Sequence, residues 1–548
     1  MIDMRRLAAR LEPLVPHWVL GSEEPGNQRT QLKQAGILAG CDPAFLPVLR
    51  GMAQWAWQER PFSRRLLHGL LKLDGGAAFL APECRAFLDR LRPLAFAPVR
   101  AAGLREVGEA GEHARLAGFL LKLLRDPAHG PFWLGQAWDF LVRLGRADLP
   151  RDMLAALGPR PEIAPLLDRL LAEWAFLYLP PQEALEYVLL LDEAVFGLWK
   201  RQALCELWLR LGERGKAVTA LRALWRQLPW HVNASLKLHD LLSAPLRRGP
   251  VGPKDAAILL YSWNKADLLS RTLERLATSG IGEARVVVLD NGSGDATAEV
   301  LARAEGLFAP GRFLGVRLPV NVGAPAARNW LLSLPEVRAC RFAAFLDDDV
   351  LVPEGWLPRL IAAAGSRPGV GAVGCRIVSA SPPAAVQSAD YNLLLPREGA
   401  KLFEDFEENI LFFDNCKDSL DFGQFSYARP ALSVSGCCHL LAMSAVEQVG
   451  GFDIRFAPTQ FDDLERDMRL NLAGFAVLYA GDLAVGHVQH SSLAKARTLS
   501  GVAQVFGNKI KLEGKYGKAE VRGLAERTLA ALWTDLAAKW AMLDEATS

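Results

Sequence analysis

Chemically capable side chains fall into a few tight clusters along the chain: Tyr261-Ser262-Trp263-Asn264, Asp290-Asn291-Gly292-Ser293-Gly294-Asp295, Asp347-Asp348-Asp349, and Asp462-Asp463 followed by His487. Three adjacent carboxylates repel one another unless a cation, a proton or hydrogen-bond donors compensate, and a hard divalent cation is the simplest compensation. If the preceding strand runs on, Asp347 and Asp349 share one side and Asp348 takes the other, so two of the three converge on one ligand. The competing reading is a solvated turn that caps the next helix. Asp290 either begins an ordinary Asx turn or accepts hydrogen bonds from a nucleobase or ribose, and Trp263 either packs in the core or stacks on a base. Arg328, in NVGAPAARN, either reaches a phosphate or pairs with a nearby carboxylate. Asp462 and Glu465 have the spacing of a capping box, which leaves Asp463 at a helix N-terminus, where the dipole favours the ionised form of a general base. His487, in LAVGHVQH, suits a metal shell, whereas His490 reads as a surface residue.

The elements that must hold these residues follow from hydrophobic periodicity. From residue 256, apolar runs alternate with amphipathic segments: AAILLYS then DLLSRTLERLATS, RVVVLD then DATAEVLARA, RFLGVRL then APAARNWLLSL, and RFAAFLD then EGWLPRLIAAA. That alternation predicts successive strand-helix units and a mostly parallel, doubly wound sheet, in which ligands bind beyond the carboxyl ends of the strands. The clusters stand at those ends.

Residues 1–245 are rich in Leu, Ala, Arg and Trp at helical spacing, and ten of the fifteen tryptophans lie there. This predicts an all-helical domain whose last part, 203–242, resembles a tetratricopeptide repeat. Prolines and glycines in SAPLRRGPVGPKD mark a linker at 246–255, the α/β domain is expected over 256–495, and a helical extension over 496–548. Lys509, Lys511, Lys515 and Lys518 read as a solvated basic loop, with a mobile lid over a diphosphate as the other reading.

The 548 residues are 51% hydrophobic and 23% charged, and carry a formal charge of +2. That composition excludes a disordered or collagenous chain and offers no global field for nucleic acid. Scattered cysteines and the lack of a long apolar run predict a cytoplasmic protein without a membrane span, with room for peripheral membrane contact.

Together, YSWN, VVVLDNGSGDAT, NVGAPAARN, FLDDDV, VSGCCHLLAMSAVEQVGGFD, FDDLERDMRLNLAG and GH resemble the catalytic domain of a family 2 glycosyltransferase with the GT-A fold. The resemblance covers about 256–490. It implies an inverting hexosyltransferase that uses a nucleoside-diphosphate sugar, expected to be UDP-linked, and a protein, peptide or glycan acceptor. It further implies Ser262, Trp263, Asn264, Asp290, Arg328, Asp347 and Asp348 at the donor, Asp349 and His487 on Mn2+ or Mg2+, and Asp463 as the base. Tyr261 stands where the family's first strand commonly ends in Pro, and Asp462 replaces its usual Glu. The alternative is a helical-repeat scaffold protein with an inactive glycosyltransferase domain.

Overall fold

The computed structural model describes residues 4–94 and 113–547, apart from 22, 24, 127, 244, 396–398, 404–405, 417–418 and 489–498. The chain divides into two compact units: Pro25–Leu241 with Pro382–Ala384, and Leu242–Ser381 with Ala385–Ser548 and Asp3–Glu24. The expected boundary at residue 245 therefore needs one correction. The first helix, Met4–Leu14, belongs to the α/β unit, where Trp533 Nε1 donates to the Pro16 carbonyl at 2.8 Å and Arg429 donates to those of Val19 and Leu20.

The helical unit is built of antiparallel neighbours joined by short turns, such as Glu193–Arg210, Arg214–Gln227 and Val232–Leu242. Gly212, at φ 78°, makes the first of these turns, in the left-handed region that glycine enters without strain. Of the ten tryptophans up to residue 245, eight are buried, while Trp133 and Trp208 are half-buried. Trp57 stacks on Phe196 at 5.2 Å, and Trp225 donates to Ser235 Oγ at 3.0 Å. These indoles fill helix-helix cores.

In the α/β unit the strands are β1 Ala256–Ser262, β2 Arg285–Asp290, β3 Phe313–Arg317, β4 Phe342–Leu346, β5 Val350–Leu351, β6 Val370–Ser379, β7 Val386–Ser388, β8 Tyr391–Leu394, β9 Lys401–Phe403, β10 Phe406–Glu407, β11 Leu411–Asp414, β12 Ala428–Ala431, β13 Cys438–Ala442 and β14 Ala476–His487. The main sheet runs β12-β14-β6-β13-β4-β1-β2-β3, with β5 beside β14 and β7 beside β6. Strands β1 to β4 pair in parallel, and the apolar runs of β1, β2 and β4 are buried, as strands covered on both faces are, while the edge strand β3 stays partly exposed. Strand β13 inserts antiparallel between β4 and β6, so its first residues meet the carboxyl end of β4. The chain order reverses between β1 and β4, which is where an open sheet leaves a crevice.

The lysine-rich segment is not a loop. It forms the helix Leu499–Lys515 and the start of Lys518–Thr547. Lys509 bonds the Ile410 carbonyl and Glu513, and Lys515 bonds Asp453 at 2.6 Å and Glu465 at 2.5 Å. Among the described residues no helix is long and apolar enough to cross a membrane, and no disulfide links the eight cysteines.

Candidate active site

A cavity of about 550 Å³ opens over the ends of β1 and β4, lined by Trp263, Lys265, Asp347, Cys437, Asp463 and His487 among others. A second concavity of about 680 Å³ bears Arg469 and Lys515. Their charges are spent on Glu465 and Asp453, so the reactive groups belong to the first.

The acidic run is a turn, not a continued strand, and alternation therefore does not sort its carboxylates. Asp348 and Asp349 both reach Lys265 Nζ at 3.0 Å. Asp348 also accepts from Ser262 Oγ at 2.7 Å. Burial pushes the Asp348 carboxyl up to about 6, against the pull of Lys265 and Ser262. Asp349 lies below the usual carboxylate range: burial is outweighed by the hydrogen bond and charge of His487 and by Lys265. Lys265, opposed by burial, is raised by the two carboxylates it joins.

His487 ends β14 and offers Nε2 to Asp349 Oδ1 at 3.0 Å, while its Nδ1 meets Gln387 Oε1 at 2.6 Å. Burial lowers its pKa, but Asp349 and Asp347 raise it more, and the net direction is up. Asp347, Cys437 and His487 bring one donor atom each within 4.8 Å of one another. An oxygen, a sulfur and an imidazole nitrogen on one wall of a cleft fit a divalent cation after modest closure. Asp347 and Cys437 thus stand beside the expected pair of Asp349, 1% exposed, and His487, whose Nε2 lies 3.0 Å from Asp349 Oδ1.

Arg328 takes the second of its two readings: it is buried and donates to Asp462 Oδ2 at 2.7 Å, with its guanidinium 5.0 Å from the Phe452 ring and 5.4 Å from Tyr261. Its Nη1 is committed to that carboxylate, while the side chain also lines the cavity. Burial alone would weaken its charge, but the carboxylates of Asp462 and Asp463 hold it cationic. The capping box is not formed either. Phe461 occupies the cap position without a side-chain bond, Asp462 serves Arg328, and Glu465 serves Arg469, Lys515 and Tyr516.

Asp463 faces the cavity, with Oδ2 accepting from Gly436 N and Oδ1 from Leu464 N, both at 2.8 Å. A Cβ on Gly436 would lie 2.8 Å from both Asp463 Oδ2 and Arg328 Nη2, so only glycine admits this approach. Two backbone donors and the helix dipole hold the carboxylate in one orientation.

The remaining donor-side candidates divide. Trp263 is 48% exposed at the cavity. Asn264 spends its amide oxygen on Gly294 N, and Asp290, fully buried, accepts from Ser293 N at 2.8 Å and faces Arg317 at 3.3 Å. Asn264 and Asp290 brace the strand-end loops. His490 lies outside the described residues. Sequence reasoning passed over Lys265, Cys437 and Gln387. Lys265 directly follows the YSWN cluster, and its position beside that strand end was the available signal. Cys437 and Gln387 carried none.

The fold and the cleft define an α/β unit with a cavity at the strand ends and a carboxylate poised there at a helix N-terminus. Residues 257–441, about a third of the chain, match the family Glycosyl transferase family 2. The O-antigen biosynthesis protein RfbC of Myxococcus xanthus is 28% identical over 281 residues, which are 50% of this chain and 21% of the relative; the chain thus spans about a fifth of that protein's length. Among solved structures, the mannosyltransferase PcManGT from Pyrobaculum calidifontis in complex with GDP-Man and Mn2+ overlaps 63% of this chain and 86% of its own, at 16% identity and a TM-score of 0.36. GalNAc-T7 with UDP, GalNAc and Mn2+ overlaps 43% of this chain and 44% of its own, at 14% identity and a TM-score of 0.35. Overlaps this loose assign no residue a role.

Proposed function

We propose that the chain is an inverting glycosyltransferase that moves a hexosyl group from a nucleoside-diphosphate sugar to a hydroxyl of a glycan, peptide or protein. The observation that carries the reading is Asp463, fixed by Gly436 and Leu464 in the same cavity as the Asp347, Cys437 and His487 cluster. A base and a site for a polyphosphate's cation in one cleft suit displacement at a carbon held beside both.

Trp263 offers a face for the base, and Asp290 braces the loop beside it. Asp463 takes the acceptor's proton as the new glycosidic bond forms and the bond to the diphosphate breaks. Asp347 and His487 would hold Mn2+ or Mg2+, with Cys437 within reach, and the cation when bound supplies charge neutralisation of the departing diphosphate. Gln387 orients His487 through Nδ1, which leaves Nε2, now on Asp349, to turn to the cation, and Lys265 keeps the Asp348 and Asp349 charges balanced. UDP is the nucleotide proposed. The name of the Myxococcus relative favours a growing glycan as acceptor.

The test is thermal unfolding with a panel of UDP- and GDP-linked hexoses, with and without Mn2+. A true donor at a hundred times its Kd adds about 2.7 kcal/mol and raises Tm. No shift with any of them, with or without the cation, would remove the reading.

A further inference from the structure

The two residues before Asp462 and Asp463 are held in an uncommon backbone conformation. Gln460 has φ 83° and Phe461 φ 69°, both left-handed and neither a glycine. Each such residue is strained and persists only where its surroundings over-determine it. The surroundings come from the helix Leu499–Lys515, beyond the part of the chain that matches the transferase family.

Asn508, 1% exposed, points its amide at the loop, and the two N–H groups of Nδ2 are shared among the carbonyls of Phe456 at 3.0 Å, Thr459 at 2.8 Å and Gln460 at 3.1 Å. Gln504 adds a bond to the Thr459 carbonyl at 3.1 Å. The amide cannot be turned round. Lys511 Nζ, which only donates, lies 2.9 Å from Asn508 Oδ1 and 2.7 Å from the Arg455 carbonyl, so Oδ1 must face the lysine and Nδ2 the three carbonyls. On the cavity side the same loop is limited by Ala324 N, which donates to the Pro458 carbonyl at 2.7 Å. Pro458, Thr459 and Gln460 line the cavity.

We propose that Asn508 is a positioning residue for Asp463: by gathering the carbonyls of Phe456, Thr459 and Gln460 it fixes the left-handed pair that aims the first turn of Asp462–Leu472, and with it the Asp463 carboxylate, into the cleft. This rests on the reading of Asp463 as the base. A base displaced by about 1 Å loses on the order of 10²-fold in rate, so the carbonyl clamp acts on kcat and not on donor binding.

The experiment uses the full chain and follows release of UDP or GDP from whichever sugar nucleotide raises its Tm most. The proteins compared are wild type, Asn508→Ala, Asp463→Asn and the double variant. Asn508→Ala is expected to lower kcat by roughly 10- to 100-fold with donor KM within about twofold of wild type, and to take nothing further from kcat in the Asp463→Asn background. Lys511→Met, which frees the amide to turn, shows the same split more weakly and serves if Asn508→Ala does not fold. Wild-type kcat in both loop variants overturns the proposal. So does a loss at Asn508 that simply multiplies the loss at Asp463, since the clamp would then act elsewhere. Wild-type turnover in Asp463→Asn itself would instead sink the base assignment, and this proposal with it.

Discussion

The helical unit and the α/β unit both bury polar side chains, but to different ends. In the helical unit they are enclosed against one another: Gln58 Oε1 accepts from Leu198 N and Trp199 N, Arg169 pairs with Glu173 at 2.9 Å, and Lys237 with Glu206 at 2.8 Å. Such groups hold helices in register, since a lost partner leaves a buried group unsatisfied. In the α/β unit some charged groups are enclosed in the same way, as Arg429 with Asp390 at 2.6 Å, but others gather where β1, β4 and β14 end and β13 begins, facing the open cavity. The difference teaches that burial of charge alone does not mark a site. What marks it is a charged cluster over-determined from behind and open in front.

Removing the base tests the open side most severely. Asp463→Asn should lower nucleotide release in the presence of acceptor by about 10² to 10⁴-fold with donor-induced Tm shifts intact. An equal loss of donor stabilisation would make Asp463 a binding group, and the contrast with the enclosed clusters would weaken.

The enclosed side has its own sensitive group. His231 is buried in the helical unit, its Nδ1 accepts from Ala234 N, and burial lowers its pKa to about 4. The unfolded chain, near 6.5, takes up the proton first as pH falls. Stability is therefore full above about pH 6.5, declines towards pH 4 and is flat below, a loss of about 3 kcal/mol from this residue. The difference in unfolding free energy between wild type and His231→Asn, followed from pH 7.5 to 4, should show that slope. Its absence would mean that the imidazole is hydrated in solution.

A middling effect is expected at the metal-facing cluster. His487→Ala should weaken Mn2+ binding, read by the paramagnetic resonance of free Mn2+, by about 10- to 100-fold or more, and Gln387→Ala by less, because it acts only through the imidazole. If Gln387→Ala cost more than His487→Ala, the order of the two shells would be reversed.

The smallest effect should come from Trp263→Ala. An exposed ring contributes little to folding, so Tm should move by no more than the equivalent of about 0.5 kcal/mol, while donor KM rises several-fold through lost stacking on the base. A large Tm loss with unchanged KM would make Trp263 a packing residue like the indoles of the helical unit.

Much of the fold was legible because the parallel strands are covered on both faces and read as unbroken apolar runs: AAILLYS, RVVVLD and FAAFL stand within a residue of their expected places. The acidic run was legible as a site for the same reason, as charge directly after a buried strand. The pairings inside the site were not. Arg328 meets Asp462 across 134 residues, His487 meets Gln387 across 100, and Asn508 meets Gln460 across 48. Each residue has an ordinary local explanation, and local pattern chose the wrong one for Asp462, whose capping-box spacing was real but whose partner lay elsewhere.

The sequence by itself determined the order of strand-helix units, the place of the strand ends, and which carboxylates and imidazole stand there, because hydrophobic period and helix-start chemistry are short-range and written residue by residue. Only the tertiary structure decided which of those groups are spent on one another and which stay open. That choice follows from β13 entering antiparallel between β4 and β6, which sets Cys437 beside Asp347 and Gly436 against Asp463, and from the final helices closing on the 453–461 loop. Such contacts depend on sheet order and on a close approach that no spacing along the chain encodes.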